Sequence, residues 1–135
     1  MTEEKKKLLH EISSLLCQAY NELIENNQVS FPLYDEQVFK IDTVVKTVYA
    51  SYFGFVPYPT EKDRAAAFFC LIIKDHVVTD GNKSLATIWL EIYCNSFSLK
   101  IKDGVLIDQL AVSVEAEKDL SLQKLVQVVK TVLFE

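Results

Sequence analysis

The stretch "RAAAFFCLIIKDH", Arg64 to His76, most limits what this chain can fold into. It is apolar nearly all round, and a helix without a polar face must be wrapped by other elements. "NKSLATIWLEIYC", Asn82 to Cys94, has the same character, so two buried central helices joined by a tight turn are predicted. The remaining segments suit the task of covering them. Residues 3 to 26 place Leu8, Leu9, Ile12, Leu15, Leu16, Ala19 and Leu23 on one apolar stripe at helical spacing. Asp35 to Tyr52 is rich in β-branched residues, which favour strand, yet its length and period argue for helix. Thr60 and Asp63 resemble a capping box that opens the first central helix. "IDQLAVSVEAE" and a segment starting near Ser121 read as two closing helices.

The expected fold class is therefore all-α: a compact domain of about six helices, with residues 1–135 as one domain and an N-terminal helix within 1–27. Two segments lie outside that pattern. "SFSLKIKDGVLID" alternates polar and apolar around Asp103-Gly104, a hairpin signal that leaves open either a short β-hairpin or flap or a loop with one short strand. "GFVPYPT" reads as a loop. Half of the 135 residues are hydrophobic, enough for a core of its own at this length. A net charge of −5 argues against nucleic acid as a partner, because phosphate backbones select a basic face. Apolar runs fall short of the roughly 18 residues a membrane span needs, and the N-terminus lacks a signal-peptide pattern. No membrane partner and a cytoplasmic location are expected. Cys17, Cys70 and Cys94 are odd in number and widely spaced, which suits neither a disulfide framework nor a zinc site. Small buried apolar side chains in a reducing compartment are the expectation for them.

The turn between the central helices, "KDHVVTDGNKSLA", concentrates the chemistry. It precedes a helix start near Asn82, where unpaired N–H groups and the helix dipole favour an anion. Gly81 lacks a Cβ, so a phosphate can come close to the backbone. Asn82 can donate through its amide. Asp80 would repel a polyphosphate unless a cation lies between, and Mg²⁺ takes one or two carboxylates together with phosphate oxygens. His76 can accept a proton from a hydroxyl near neutral pH. The same residues are also ordinary turn chemistry, and Asp80 could simply cap the next helix. Pattern alone leaves both readings open.

The spacing resembles a known signature. "HVVTDGNKSLA" is similar to the Fic/Doc motif, His-x-Phe-x-Asp/Glu-Gly/Ala-Asn-Gly/Lys-Arg, with His76, Asp80, Gly81, Asn82 and Lys83 in register. The resemblance covers about residues 35 to 134 and is closest to the death-on-curing (Doc) branch. It implies an all-α domain that uses ATP or a related nucleotide with Mg²⁺ to modify a hydroxyl of a target protein. For the Doc branch it implies a phosphotransferase toxin with an antitoxin partner and a translation factor as target; other members transfer a nucleotide monophosphate (AMPylation). Carried over, His76 is the general base and Asp80 the metal ligand. Gly81 and Asn82 line the anion pocket, and Lys83 marks phosphoryl transfer. The chain departs from the motif at two points. Ser84 replaces the closing Arg, so one neutral donor stands where a charged fork would be, and Lys83 or Lys74 is the expected substitute charge. Val78 replaces the Phe, predicting a weaker anchor for the turn. A non-catalytic Fic-like binding or regulatory module is the alternative these departures imply. "QVSFPLYDE" reads either as the flap that docks target segments in this family or as a connector. Thr131 and Glu135 have the spacing of the family's inhibitory Ser/Thr-x-x-x-Glu helix, a pairing that is common by chance.

Overall fold

A computed structural model describes residues 1–134 of the chain as an all-helical domain. Six helices follow in order: α1 (Glu3–Glu25), α2 (Asp35–Val48), α3 (Glu61–Lys74), α4 (Asn82–Ser96), α5 (Ile107–Ala116) and α6 (Leu122–Phe134). The all-α expectation and the helix count both hold. None of the described helices is long and apolar enough to cross a membrane.

The nearly all-apolar segment becomes the axis of the fold. In α3 every residue from Ala65 to Ile73 is buried, and the helix packs against α2, α4, α5 and α6. Phe68 shows why it must be central. Its ring meets Trp89 of α4 edge-on at 5.6 Å and Tyr93 at 5.4 Å, while Tyr49, whose hydroxyl lies 3.0 Å from that of Tyr93, is 6.3 Å away. Fully burying one such ring stabilises the fold by about 1.5–3 kcal/mol. α1 covers the α2–α4 side through Leu9, Leu16, Ala19, Tyr20 and Leu23; Leu8 and Leu15 of the expected stripe are exposed instead, because the buried face is narrower and turns toward Tyr20. α2 is a helix despite its β-branched residues, because Ile41, Val44, Val45 and Val48 then share one buried face. It stops at Val48, short of the expected Tyr52.

Two local features depart from expectation. Among the described residues no strand forms at Asp103-Gly104, which is a turn with Gly104 at φ 83°. The Lys102 N–H instead donates to the carbonyl of Leu133 at the end of α6, at 2.8 Å. A helix end supplies the acceptor that a second strand would have offered. The only pairing of β type among the described residues is an isolated antiparallel bridge, Tyr52–Phe55, whose two backbone hydrogen bonds measure 2.7 and 2.9 Å. The residues between, Phe53 (φ 51°) and Gly54 (φ 86°), are both left-handed. Local sequence disfavours that conformation for Phe, so nothing in the sequence marks this turn. Arg64 supports the loop beyond it, donating to the carbonyls of Tyr58 and Pro59 at 2.9 and 3.0 Å.

The three cysteines are free thiols. Cys70 and Cys94 are buried, and burial pushes their thiols up to about 12 and about 11, so both stay protonated and inert. Cys17 is half-buried, and burial followed by the nearby Asp42 carboxylate raises its thiol as well.

Candidate functional site: the cleft at the start of α4

The turn between α3 and α4 is built tightly. α3 ends with Asp75 as its C-cap, and His76 follows in left-handed backbone at φ 47°. That position commonly turns left-handed to end a helix, and histidine tolerates it better than most side chains. Val77 and Val78 then drop into the core, both buried. The smaller anchor at Val78 does not leave the turn unsupported. Its N–H donates to Asn82 Oδ1 at 3.0 Å, and its carbonyl accepts from Asn82 Nδ2 at 2.9 Å. The Asn82 amide is thus engaged first in closing the loop. Only its second Nδ2 hydrogen is left for an anion. Asn82→Ala would orphan both main-chain groups of a buried residue. It is expected to cost about 2 kcal/mol, read as a lower urea midpoint with an unchanged slope; a change below about 0.5 kcal/mol would contradict this account.

Gly81 is the N-cap of α4, at φ 88°. A Cβ there would lie 2.3 Å from Cγ1 of Val29. Close packing by the 26–34 segment therefore demands the glycine, independently of any phosphate. The same segment is fastened from below: Tyr20 of α1 donates its hydroxyl to the carbonyl of Phe31 at 2.6 Å and reaches the carbonyl of Asp80 at 3.4 Å. Burial, and secondarily the Asp80 carboxylate, raises the Tyr20 phenol, so it remains a donor. "QVSFPLYDE" thus packs onto the turn itself, with Val29 against Gly81 and Gln28 on the cleft wall.

His76, Asp80, Gly81, Asn82, Lys83 and Ser84 all line one open cleft of about 400 Å³. His76, Asp80 and Ser84 are exposed. The first-turn amides of α4 lie at this end of the helix, with the macrodipole behind them. The volume falls within the range of small-molecule sites.

The charges are arranged differently from the expectation. Lys83 Nζ is held by both carboxylate oxygens of Glu115 in α5, each at 3.0 Å. Lys74 Nζ donates to the carbonyls of Glu115, at 3.3 Å, and of Glu117. Both lysines thus serve the end of α5, and neither stands free to replace the missing guanidinium. Glu115 also lines the cleft, which then holds two carboxylates against one ammonium. Nothing in the local sequence marks Glu115, which enters from 32 residues downstream. Glu135 lies outside the described residues.

Among the described residues no group of three or more His, Cys, Asp or Glu side chains is placed to hold a metal ion. A resident metal cage is therefore not built here. Mg²⁺ arriving with a polyphosphate is a different case, since phosphate and water supply most of its ligands and one exposed carboxylate suffices. Asp80 fits that lesser requirement. Comparison with protein-family models, with curated proteins and with solved structures finds no significant match to this chain.

Proposed function

We propose that the cleft binds the polyphosphate of ATP or a related nucleotide and that His76 activates a hydroxyl of a target protein, as in a Doc-type phosphotransferase. One observation carries this reading: the six residues of the turn face one open polar cleft at a helix start, with an exposed imidazole on its rim. Mg²⁺, held by Asp80 and the phosphates, would screen the charge of the transferring group. The α4 amides and the remaining Asn82 donor hold phosphate oxygens. A neutral nitrogen of His76 takes the proton from the attacking hydroxyl. The hydroxyl oxygen bonds to the terminal phosphorus while the bond from that phosphorus to its bridging oxygen breaks, and the electron pair leaves with the nucleoside diphosphate. The partners are then a target protein, a translation factor in the Doc branch, and an antitoxin protein.

A second reading, a non-catalytic module that binds without transfer, draws on Lys83 being paired to Glu115 and on Ser84 being in the arginine's place. Incubation with γ- or α-labelled ATP, Mg²⁺ and cell lysate separates the two. γ-Label on a lysate protein supports phosphotransfer, and α-label supports nucleotidyl transfer. Neither label, with no thermal shift on adding Mg-ATP, sinks the enzymatic reading. His76→Gly is the informative variant. It relieves left-handed strain, so the fold should keep its stability or gain up to about 1 kcal/mol, while labelling should disappear.

A further inference from the structure

We infer that the outer face of the α1–α2 pair docks a second copy of this chain about a twofold axis. The inference is independent of the chemistry assigned to the cleft. It starts from how charge is distributed along the sequence. From Glu11 to Phe39 the chain holds five acidic side chains and no lysine or arginine. Lys5, Lys6 and Lys7 precede that stretch, and Lys40 and Lys46 follow it. The fold converts this into a face with two unlike ends. Ser13 of α1 bonds Asp42 of α2 at 3.2 Å, Lys6 and Lys46 line one hollow, and Cys17 and Asp35 line another. The two helices therefore run antiparallel, with the start of α1 beside the end of α2. Lys6, Lys7 and Lys46 stand exposed at that end, and Glu22, Glu25, Asp35 and Glu36 stand exposed at the opposite one. The pairs within each helix, Lys6 with Glu3, Lys40 with Glu36 and Lys46 with Asp42, lie largely in solvent; such pairs contribute little and exchange readily.

Between the two ends the face is apolar. Phe39 is 69% exposed and Val38 43%, and both line a groove of about 560 Å³ with Ser14 and Cys17 of α1. Pairing about a twofold axis requires a surface that complements itself under a half-turn. This face does. Midway between Lys7 and Glu25 along α1 lies Leu16, next to Cys17 on the groove wall. An axis through the groove therefore sets Lys7 of each copy toward Glu25 of the other. The same half-turn carries Lys46 toward Asp35 of the other copy and each Phe39 toward the facing groove, where an aromatic anchor is most effective. A second copy thus supplies both charges and the apolar centre. With helices of 23 and 14 residues, the face covers on the order of 600 Å². A standard stable interface buries about 800 Å² per partner, and a net charge of −5 on each copy adds repulsion. The dimer is therefore expected to be weak and reversible, with a Kd of roughly 10–100 μM.

Sedimentation velocity over a concentration series of the full chain tests this with two charge-reversed variants. One carries Lys6→Glu and Lys7→Glu, and the other carries Glu22→Lys and Glu25→Lys. Either variant alone sets like charges face to face at both ends, so its dimerisation Kd should rise at least about ten-fold. Mixed in equal amounts, the two restore opposite charges at both contacts, and the mixed dimer should form within about three-fold of the parent's affinity. Only antiparallel pairing of like faces predicts that rescue. Phe39→Asp, at an exposed position, is the second route and should abolish dimerisation; thermal melts check that every variant is folded. A parent that stays monomeric at about 1 mM would overturn the proposal, whether or not the face captures a different protein. Dimers that survive both charge reversals and Phe39→Asp would overturn it as well, as would a mixture that does not associate.

Discussion

Asp63→Ala is expected to destabilise the fold by about 3 kcal/mol, a fall of roughly 10 °C in melting temperature. Asp63 is the one buried charged side chain among the described residues. Both of its oxygens are engaged. Oδ2 accepts from the Thr60 hydroxyl at 2.7 Å and the Thr60 N–H at 3.2 Å, and Oδ1 pairs with Lys130 of α6 at 3.0 Å. Its own N–H donates to Thr60 Oγ1 at 3.1 Å, completing the cap of α3. One side chain thus closes the N-terminus of the central helix and ties it to the last one. Removing it opens the cap and leaves Lys130, whose side chain is only 24% exposed, without its partner. The ammonium can still turn toward water, so the expected cost lies at the low end for a broken buried pair. Lys130→Met, which removes the other partner, should cost less, since the Thr60 bonds remain.

The acid dependence of this contact has a definite sign. Burial alone would raise the Asp63 carboxyl, but the Thr60 hydroxyl, Lys130 and the Thr60 N–H outweigh it and hold it below its usual 3.8. A depressed native value means that the unfolded chain binds the proton more tightly. The stabilisation is therefore complete above the usual carboxylate pKa and is lost as pH falls through the lower native one. The stability gap between the parent and Asp63→Asn should narrow between pH 7 and pH 3. A gap that stays constant or widens on acidification would show that the carboxylate's charge is not what stabilises.

Gly81→Ala is expected to cost about 3 kcal/mol, from two separable causes. Left-handed backbone at φ 88° penalises any Cβ by about 1–2 kcal/mol. The new methyl would also meet Val29 Cγ1 at 2.3 Å, and Val29 is a buried, stiff β-branched residue with little freedom to rotate away. Combining Gly81→Ala with Val29→Ala should relieve the contact and leave the backbone part, so the two substitutions should couple by about 1 kcal/mol in a double-mutant cycle. A single variant that melts within a degree of the parent would refute both causes. The measurement also bears on function, since any shift of Gly81 moves the α4 amides that the proposed phosphate site uses.

Much of the candidate site was legible because it is local. His76 to Ser84 are consecutive, and a turn between two helices brings its own residues to one place whatever surrounds it. The Thr60–Asp63 box was legible for the same reason. What each of these residues also touches was not. Lys130 reaches Asp63 from α6, Val29 reaches Gly81 from the α1–α2 connection, and Tyr20 reaches the turn from α1. The alternating pattern at Asp103-Gly104 allowed a hairpin or a single short strand, but among the described residues no neighbouring strand exists for it and a helix end took its hydrogen bond. At Phe53 tertiary context overrode an unfavourable backbone preference.

By itself the sequence determined the helical class and the central place of α3 and α4, because an unbroken apolar surface at helical spacing leaves water by only one route. It also determined which residues stand at the start of α4. Tertiary packing decided how they are charged: Glu115 and Lys83 lie far apart along the chain, and only the docking of α5 against the ends of α3 and α4 brings carboxylate and ammonium within bonding distance. Electrostatic pairing depends on separation in space, and spacing along the chain carries no record of it beyond a helical turn or two.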